Sequence, residues 1–445
     1  MSNSVYCSSQ NTAITRPLDN PILPGACLGI MGGGQLARMF CFAAHALGYQ
    51  TMVLDPDPQA PARAVTNHFL LADYEDSSAL KQLAQCDAVT TEFENVSVAA
   101  LQTIAVSTRV SPSPKAISIT QNRLAEKQFL NQCKAPIVPY LYIDKKNANE
   151  IIQCAQSAQY AAYLPGILKT ARWGYDGKGQ AEIKDYDSLV NALKLEQTQQ
   201  YVLEKKIDLA FEFSIILARD DAGHCEIYPP QQNEHQNGIL ALTIVPAPLV
   251  NESILLQAKQ LAQLIASQLN YVGVLCVEYF VTKNNQLYVN ELAPRPHNSG
   301  HYTINACTTS QFEQQVRAMA GLPLGSPKQF ILAAMVNILG DVWQPLSFES
   351  SALLTNTTDK LAKSDSTLKE NNSLSKQLNL PSNSQSTLLK APAWQEILKL
   401  PSAHLHLYGK AQPRKARKMG HITITSNQTS DLEKTITQVK RLLSL

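Results

Sequence analysis

Residues 26–55 read ACLGIMGGGQLARMFCFAAHALGYQTMVLD, and this stretch decides the fold of the N-terminal part of the chain. An apolar strand, Ala26–Met31, runs into three glycines and then into a helical pattern over Gln35–Leu47. Gly48 closes that helix, and a second strand follows over Thr51–Leu54. A strand, a helix and a strand in this order predict the start of an open α/β sheet.

The glycine turn in this stretch has two interpretations. Gly32, Gly34 and Ala37 match the spacing of the dinucleotide-binding fingerprint. Asp55 follows about twenty residues on, where a ribose-binding acid would lie. Backbone N–H groups at a helix start can hold a phosphate, which favours an NAD site. The alternative is a turn whose glycines only let the first strand and helix pack closely.

The rest of the chain divides by its pattern of strands, helices and turns. A strand at Ala88–Glu92 and a proline-rich turn at Ser111–Pro114 extend the first domain, and a helix at Arg123–Asn131 begins the next. The predicted parts are a polar tail over 1–20, an N-terminal α/β domain over 21–122, a middle domain over 123–320 and a C-terminal domain over 321–445.

A glycine-rich hairpin lies in the middle domain. The strand Leu164–Lys169 leads to RWGYDGKGQ at 172–180, and the strand Ala181–Ile183 follows. Three glycines in this spacing predict a flexible lid whose backbone amides cover phosphates, with the Lys169 ammonium beside them. The segment is not a Walker A loop, because no Gly-Lys-Ser/Thr follows. The alternative is an ordinary surface hairpin.

Two carboxylates are predicted to face each other across a second hairpin. If Asn284–Asn285 form a two-residue turn between the strands that flank them, Glu278 lies directly opposite Glu291. Like charges in a buried pair repel, so a bridging cation is expected, and oxygen ligands beside a nucleotide favour Mg²⁺. In this register Asn290 faces the other side and joins the metal only through a bulge. The alternative is a coincidental pair on a solvated edge.

The segment APRPHNSGH at 293–301 follows this hairpin directly. It packs two histidines, an arginine and an asparagine into a loop constrained by proline and glycine. Such a loop is more typical of a substrate site than of a structural turn.

Composition excludes several classes of protein. The 445 residues carry 38 basic and 36 acidic side chains, a balance that argues against a nucleic-acid partner. We expect no membrane partner, since no run of about 18 apolar residues occurs, and we expect no secretory signal, since the first twenty residues contain no apolar run. The nine cysteines are scattered without a CxxC pair, which favours free thiols in the cytoplasm.

One low-complexity segment interrupts the C-terminal domain. Over 347–386, roughly half of the residues are Ser, Thr or Asn, and the apolar residues are mostly isolated leucines. Such a segment buries too little apolar surface to offset its ordering entropy, so we predict a disordered or loosely packed insertion. Ordered structure is predicted to return at Ala393–Trp394 and Leu398–Leu407.

Several of these segments together resemble the ATP-grasp ligases, and among them the chain is most similar to the N5-carboxyaminoimidazole ribonucleotide synthetases. The similarity runs from about residue 26 to 425, outside the insertion. The segments that carry it are GGQLARM at 33–39, GYDGKGQ at 174–180, VLEKKI at 202–207, NEHQNGI at 233–239, YVGV at 271–274, NELAPRPHNSGH at 290–301, LHLYGK at 405–410 and RKMGH at 417–421.

The resemblance implies a fold and a reaction. The fold is an α/β ATP-grasp fold with an N-terminal open parallel-sheet domain, called pre-ATP-grasp, and a small β-rich C-terminal domain. The reaction carboxylates 5-aminoimidazole ribonucleotide with bicarbonate and ATP through carboxyphosphate, releasing ADP and phosphate, in purine biosynthesis. Its cofactors are ATP and Mg²⁺, and members of the family are commonly homodimers.

The resemblance also implies the site residues. Arg295 and Lys178 are the candidate catalytic residues, and Glu278 and Glu291 are the candidate metal ligands. Nucleotide contacts are expected from Arg123, Lys169, Gly174, Tyr175, Asp176, Gly177, Lys178, Gly179, Gln180, Glu204, Lys205, Lys206, Ile207, Glu212, His235, Asn290 and Glu291. Ribonucleotide contacts are expected from Gln35, Leu36, Glu92, Tyr175, Asp176, Asn298, Lys410, Arg417 and Lys418. Position 178 departs from the family, where an arginine is common; lysine keeps the charge and loses the bidentate fork.

Three alternatives stand beside this interpretation. An NAD-dependent dehydrogenase fits the glycine turn, but no residues for hydride chemistry accompany it. The formate-dependent glycinamide ribonucleotide transformylase shares the whole layout, whereas the lid and the segment Asn298–His301 favour the carboxylating enzyme. A regulator that binds ATP without catalysis would lack some of the residues that bind the metal or the phosphates. The sequence has a candidate residue for each of these roles, which disfavours the regulator.

Overall fold

The computed structural model of the protein describes residues 15–153, 158–174, 177–195, 200–345 and 389–445. Within them lie sheets of five, four and nine strands and one short two-stranded pairing. The predicted insertion at 347–386 and the first fourteen residues of the predicted tail lie outside the described residues.

The first sheet is parallel, with helices on both faces, as the opening strand and helix predict. Alternate side chains of its first strand enter different cores. Leu28 and Ile30 pack with Phe40, and Met31 packs with Leu83 on the opposite face. The elements are β1 (Cys27–Met31), α1 (Gln35–Ala46), β2 (Gln50–Asp55), β3 (His68–Leu71), α2 (Ser77–Leu83), β4 (Ala88–Thr91), α3 (Val98–Ala105), β5 (Arg109–Val110) and α4 (Pro114–Thr120).

The strand order of this sheet creates a crevice. The order is β3-β2-β1-β4-β5, so the direction of winding reverses between β1 and β4. Ligands of open α/β sheets bind at such a reversal, beyond the carboxyl ends of the strands. The glycine turn after β1 and Glu92 after β4 both lie there.

The second sheet is antiparallel and contains the predicted lid. Its order is β6-β9-β7-β8, and the glycine-rich turn joins β7 to β8. Helices on one face pack with the sheet around Ile143, Leu189 and Leu203. The elements are α5 (Arg123–Gln132), β6 (Tyr140–Ile143), α6 (Lys145–Gln153), α7 (Ala158–Ala161), β7 (Gly166–Thr170), β8 (Gln180–Ile183), α8 (Tyr186–Leu195) and β9 (Tyr201–Lys205).

The third sheet has nine strands and holds the predicted carboxylate hairpin. Its order is β15-β14-β10-β12-β13-β16-β20-β19, and β11 pairs with β10. The strands are β10 (Leu209–Arg219), β11 (Cys225–Ile227), β12 (Gln231–Gln236), β13 (Ile239–Val245), β14 (Gly273–Thr282), β15 (Leu287–Ala293), β16 (Leu332–Leu339), β19 (Ala403–Leu407) and β20 (Lys418–Ser426). The accompanying elements are α9 (Glu252–Gln268), α10 (Thr303–Ala306), α11 (Gln311–Met319), the pair β17 (Gln344–Pro345) and β18 (Leu389–Lys390), α12 (Trp394–Leu398) and α13 (Thr429–Leu442).

This sheet continues past residue 320, the predicted end of the middle domain. Strand β16 pairs antiparallel with β13, for example through Leu242 and Val336, and β20 and β19 follow at the edge. The predicted fold class is confirmed: a parallel N-terminal sheet precedes antiparallel β-rich regions. No described helix combines the length and the apolar character needed to cross a bilayer.

Candidate active site

A cleft of about 620 Å³ opens where the three sheets meet. It brings together most of the predicted site residues, from all three predicted domains. Those that line it are Gln35, Leu36, Glu92, Arg123, Lys169, Gly174, Gly177, Lys178, Gln180, Glu212, His235, Glu278, Asn290, Glu291, Arg295, Asn298 and Lys418. Those that lie outside its lining are Gly179, Glu204, Lys205, Lys206, Ile207, Lys410 and Arg417. Tyr175 and Asp176 lie outside the described residues.

The hairpin β14–β15 places Glu278 directly opposite Glu291, as predicted. The predicted two-residue turn is wrong. Thr282 and Gln286 close a longer turn, in which Asn285 adopts a φ of 58°. A β-bulge at Asn290 then shifts the register by one residue, since Glu278 pairs with Glu291 but Tyr279 pairs with Val289. The bulge offsets the longer turn and turns Asn290 toward the cleft beside Glu291.

Each carboxylate of this pair lies close to a basic side chain. His297 Nε2 lies 3.0 Å from Glu278 Oε1, and Arg123 lies 3.2 Å from Glu291 Oε2. Burial raises the pKa of Glu278, but the hydrogen bond and charge of His297 outweigh it and hold the pKa at about 2. Glu278 is therefore ionised at neutral pH, although its side chain is only 12% exposed.

The donor set of the hairpin fits a hard divalent cation. Besides the two carboxylates, the Asn290 Oδ1 is buried and has no hydrogen-bond partner among the described residues. No cluster of three or more His, Cys, Asp or Glu side chains suited to a metal occurs in the described part of the chain. Two carboxylates and one amide oxygen suit Mg²⁺, which takes its remaining ligands from phosphates and water.

A buried carboxylate bridges two lysines at the floor of the cleft. Glu204 lies 2.7 Å from Lys169 Nζ and 3.0 Å from Lys127 Nζ. Burial raises the pKa of Glu204, but Lys169 and Lys127 outweigh it, so the pKa is well below its usual range. Lys127 also donates to the Asn290 carbonyl at 3.0 Å and so ties the bulge to the ion pairs. The Glu204 side chain is therefore engaged by two lysines, and its part in the predicted adenine hinge stays a prediction for the backbone of residues 204–207.

In the predicted hinge at 204–207, one backbone N–H group has no backbone acceptor within the described structure. The N–H groups of Lys205 and Lys206 donate to the carbonyls of Pro139 and Pro165 at 2.9 and 2.8 Å. In the described structure no backbone carbonyl accepts from the Ile207 N–H. On the exposed side, Lys206 pairs with Glu182 at 2.7 Å.

His235 and Glu212 face each other across β12 and β10 on the cleft wall, with Nδ1 and Oε2 2.9 Å apart. Burial lowers the pKa of His235, but Glu212, together with Glu278 and Glu291, outweighs it, so the pKa is raised. The His235 imidazole lies among these three carboxylates, and its positive charge when protonated would offset part of their negative charge.

The glycine turn is closed to a dinucleotide. Asp55 accepts a hydrogen bond from Gly33 N–H at 2.6 Å, and Glu92 accepts from Gly34 and from Leu36. The amides that would hold a pyrophosphate are thus engaged by carboxylates of the protein. A Cβ on Gly34 would collide with the Glu92 carboxylate, so the glycine is needed for close approach. These contacts exclude the NAD interpretation of the turn.

At the end of the cleft beside the first sheet, hydrogen bonds of Lys410 connect that part of the molecule to the C-terminal strands. Lys410 Nζ donates to Gln35 Oε1 and to the Lys418 carbonyl, each at 2.8 Å. Burial raises the pKa of Glu92 to about 7, although the N–H groups of Gly34 and Leu36 oppose the rise. Arg417 lies farther out and donates to the Gln412 carbonyl at 3.0 Å.

Arg295 projects from the loop after β15 into the cleft, and its Nε donates to Glu94 Oε2 at 2.7 Å. Glu94, Glu126 and Lys127 were absent from the sequence prediction, whereas His297 and His301 were noted as histidines of a candidate substrate loop but given no role. The two histidines could be noticed in the sequence because they lie in the loop 293–301, which proline and glycine constrain. No local pattern distinguishes Glu94, Glu126 or Lys127, because each acquires its partner from a distant segment.

Glu126 is a buried acid at the cleft wall, and its Oε1 accepts from the Leu292 N–H at 2.7 Å. Burial raises its pKa to about 8, a rise that Lys127 opposes. Its folded pKa exceeds the unfolded value, so the stability from the bound proton is complete below the unfolded pKa and is lost as pH rises toward 8.

We therefore expect Glu126→Gln, which cannot lose a proton, to unfold at a progressively higher temperature than the unsubstituted protein between pH 5 and pH 8. The measurement is the thermal midpoint by circular dichroism, without nucleotide or metal. Glu313→Gln on α11, which removes a partly exposed pair with Arg317, is the control. A Glu126→Gln midpoint that runs parallel to the unsubstituted protein would contradict the raised pKa.

Three family models match the chain in consecutive segments. The ribonucleotide synthetase preATP-grasp domain matches residues 26–121, the ATP-grasp domain residues 128–312, and the phosphoribosylaminoimidazole carboxylase C-terminal domain residues 372–435.

Relatives similar over nearly their whole length carry one name, N5-carboxyaminoimidazole ribonucleotide synthase. The protein of Staphylococcus aureus (strain COL) is 35% identical over 416 residues, 93% of this chain and 96% of the relative. That of Bacillus subtilis (strain 168) is 38% identical over 403 residues, 90% of this chain and 92% of the relative.

Solved structures give the same result. An ADP complex of an N5-carboxyaminoimidazole ribonucleotide synthetase superposes with a TM-score of 0.77 at 33% identity, covering 96% of this chain and 98% of that one. An Aspergillus clavatus synthase in complex with ADP and 5-aminoimidazole ribonucleotide superposes with a TM-score of 0.75 at 27% identity, covering 94% and 98%.

Proposed function

Since the chain belongs to the N5-carboxyaminoimidazole ribonucleotide synthases, a family of ATP-grasp ligases, we propose that its cleft carboxylates 5-aminoimidazole ribonucleotide. The reaction consumes ATP and bicarbonate, releases ADP and phosphate, and belongs to purine biosynthesis. The observation that carries the proposal is one continuous cleft, whose lining includes both the Glu278–Glu291 pair and Gln35 with Glu92.

We propose that the nucleotide binds at the end of the cleft nearer the lid. Lys169 and Arg123 supply positive charge for the phosphates, and Glu212 suits a ribose hydroxyl. The Ile207 N–H is the hinge donor that fits adenine, because its neighbours already donate within the protein. The lid, which includes Gly174 to Gln180, covers the phosphates and excludes water when it closes.

Glu278, Glu291 and the Asn290 Oδ1 are the residues that would hold Mg²⁺. The ion would neutralise negative charge on the γ-phosphoryl group during its transfer. His297 and Arg123 orient the two carboxylates for this role.

The chemistry proposed for the cleft has two steps. A bicarbonate oxygen attacks the γ-phosphorus of ATP and ADP leaves, which gives carboxyphosphate. The exocyclic amine of the ribonucleotide then attacks the carboxyl carbon, loses a proton, and phosphate leaves. Arg295, held by Glu94, and the Lys178 ammonium of the lid are the cations placed to stabilise this anionic intermediate.

The ribonucleotide is placed at the far end, against the first sheet. Gln35, Leu36, Glu92 and Asn298 line the pocket there, and Lys418 approaches it from the C-terminal strands. Lys410 and Arg417 remain candidates for the 5′-phosphate, as do Tyr175 and Asp176 for the ring and ribose. We further propose a homodimer in the cytoplasm, on the resemblance to the family.

The test is a coupled ADP-release assay with and without 5-aminoimidazole ribonucleotide at saturating bicarbonate. We expect ADP release only when the ribonucleotide is present, and no release with NAD or NADH in place of ATP. The rival substrates, glycinamide ribonucleotide with formate, serve as the control. Equal rates with either pair of substrates would contradict the proposal.

A further inference from the structure

A stack of buried and partly buried rings lies behind the ribonucleotide end of the cleft. We call His301, His421, His406 and Tyr408 the imidazole column. The ring centroids of His301 and His421 are 4.8 Å apart, and those of His421 and His406 are 4.5 Å apart. Tyr408 contacts His421 through its hydroxyl group, which lies 2.9 Å from His421 Nδ1. Of these rings, only His301 lines the active-site cleft.

The position of the proton on His301 follows from Gln311. The backbone of His297 orients the Gln311 amide. Gln311 Oε1 accepts a hydrogen bond from the backbone N–H of His297 at 2.8 Å, and Gln311 Nε2 donates to the His297 carbonyl at 2.7 Å. Its Nε2 also lies 3.3 Å from His301 Nδ1. A nitrogen that receives an N–H is unprotonated, so the neutral His301 ring carries its proton on Nε2.

The surroundings of His301 favour the neutral ring. Burial lowers its pKa well below the usual value, and neighbouring cationic groups lower it further. The titratable and charged groups that face it are Arg295 and His297 before it in the chain, Lys418 and His421 on β20, and His406 and Tyr408 on and beside β19. None of these is a carboxylate that would stabilise an imidazolium.

The His301 Nε2–H donates to no acceptor that the structure describes. Among the described residues, the one hydrogen-bond contact of the His301 ring is with Gln311. The ring lies against Phe312 and His421, at centroid distances of 5.6 and 4.8 Å, which fixes its plane. Because the ring lines the cleft, an acceptor on a bound ligand can reach this donor.

We propose that His301 is a specificity-determining residue whose Nε2–H donates a hydrogen bond to a 5′-phosphate oxygen of the bound ribonucleotide. This inference rests on the proposed function. The phosphate is the fitting acceptor, because Lys418 lies near His301 and lines the same end of the cleft, and its carbonyl holds the Lys410 ammonium. The imidazole column behind the ring fixes the donor's position.

The test compares His301→Phe with His301→Gln. Phenylalanine keeps a ring in the stack and removes the donor, whereas glutamine places an amide N–H near the position of Nε2. We expect His301→Phe to raise the KM for the ribonucleotide about 10- to 100-fold, as for a lost hydrogen bond to a charged group. The KM for ATP and the thermal midpoint should stay unchanged, and His301→Gln should restore most of the affinity.

His404→Phe is the matched control, because this β19 imidazole contacts Thr425 at 3.2 Å and lies outside the column. It should leave the ribonucleotide KM unchanged. Two results would overturn the inference: a His301→Phe KM within twofold of the unsubstituted protein, or an equal rise for ATP. If the unsubstituted protein shows no ribonucleotide-dependent ADP release, the proposed function fails instead, and the inference with it.

Two further measurements test the acceptor and the charge state. The riboside that lacks the 5′-phosphate should inhibit the unsubstituted protein and His301→Phe equally; a weaker inhibition of the variant would overturn the phosphate as acceptor. The ratio of the two ribonucleotide KM values should stay constant from pH 6 to pH 8.5, since the ring is neutral throughout. A ratio that changes with an apparent pKa in this range would overturn the neutral donor.

Discussion

Glu291→Gln is expected to lower ribonucleotide-dependent ADP release at least about a thousandfold, equivalent to about 4 kcal/mol of transition-state stabilisation. Glutamine keeps the shape of the side chain and a contact for Arg123, which lies 3.2 Å from the carboxylate. It removes the negative charge that pairs with Glu278 across the hairpin. Without that charge the hairpin cannot hold a divalent cation against the phosphates.

A binding measurement separates this effect from misfolding. By titration calorimetry, the unsubstituted protein should bind ADP more tightly with Mg²⁺ than without it, and Glu291→Gln should show no such difference. Glu234→Gln is the control, because Glu234 lies on β12 of the same sheet, faces Lys440 at 3.9 Å and is outside the cleft lining. Activity of Glu291→Gln within tenfold of the unsubstituted protein would remove Glu291 from the metal site.

Glu204→Gln is expected to destabilise the protein by about 3–5 kcal/mol, because it leaves two buried ammonium groups without their counter-ion. Lys127 is fully buried and Lys169 nearly so, at 2.7–3.0 Å from the Glu204 oxygens. The same change releases Lys169 from its position on the cleft wall, so activity should fall together with stability. Urea denaturation followed by circular dichroism gives the loss.

The control for Glu204 is Glu182→Gln. Glu182 on β8 pairs with Lys206 at 2.7 Å, beside the same sheet, but both side chains are about half exposed. Exposed pairs of this kind contribute little, so the control should unfold with the unsubstituted protein. If Glu204→Gln were as stable as Glu182→Gln, the buried lysines would have to be neutral or solvated.

Local sequence patterns predicted the elements that position the site. The first strand, glycine turn and helix gave the parallel sheet, because side-chain periodicity and turn residues act within a few positions. The pairing of Glu278 with Glu291 was also correct, although the turn was wrong. A longer turn and a bulge at Asn290 each shift the register by one residue, and the two shifts cancel. Turn length alone does not predict register where a bulge intervenes.

The polar partners of the site depend on contacts that no local pattern contains. Lys127 meets Glu204 and the Asn290 carbonyl, more than seventy positions away in each case. His301 acquires its neighbours from β19 and β20, about a hundred residues later in the chain. The glycine turn shows the converse. Its sequence fits a dinucleotide site, and only the fold shows that Asp55 and Glu92 already engage its amides.

The most direct test of the proposed chemistry follows oxygen from bicarbonate. With bicarbonate labelled by ¹⁸O, the ribonucleotide, ATP and Mg²⁺, each phosphate released should carry one ¹⁸O atom, because the oxygen that attacks the γ-phosphorus leaves with the phosphate. Mass spectrometry of the phosphate measures this, and the reaction must be faster than exchange between bicarbonate and water. Phosphate without the label would contradict carboxyphosphate formation in this cleft.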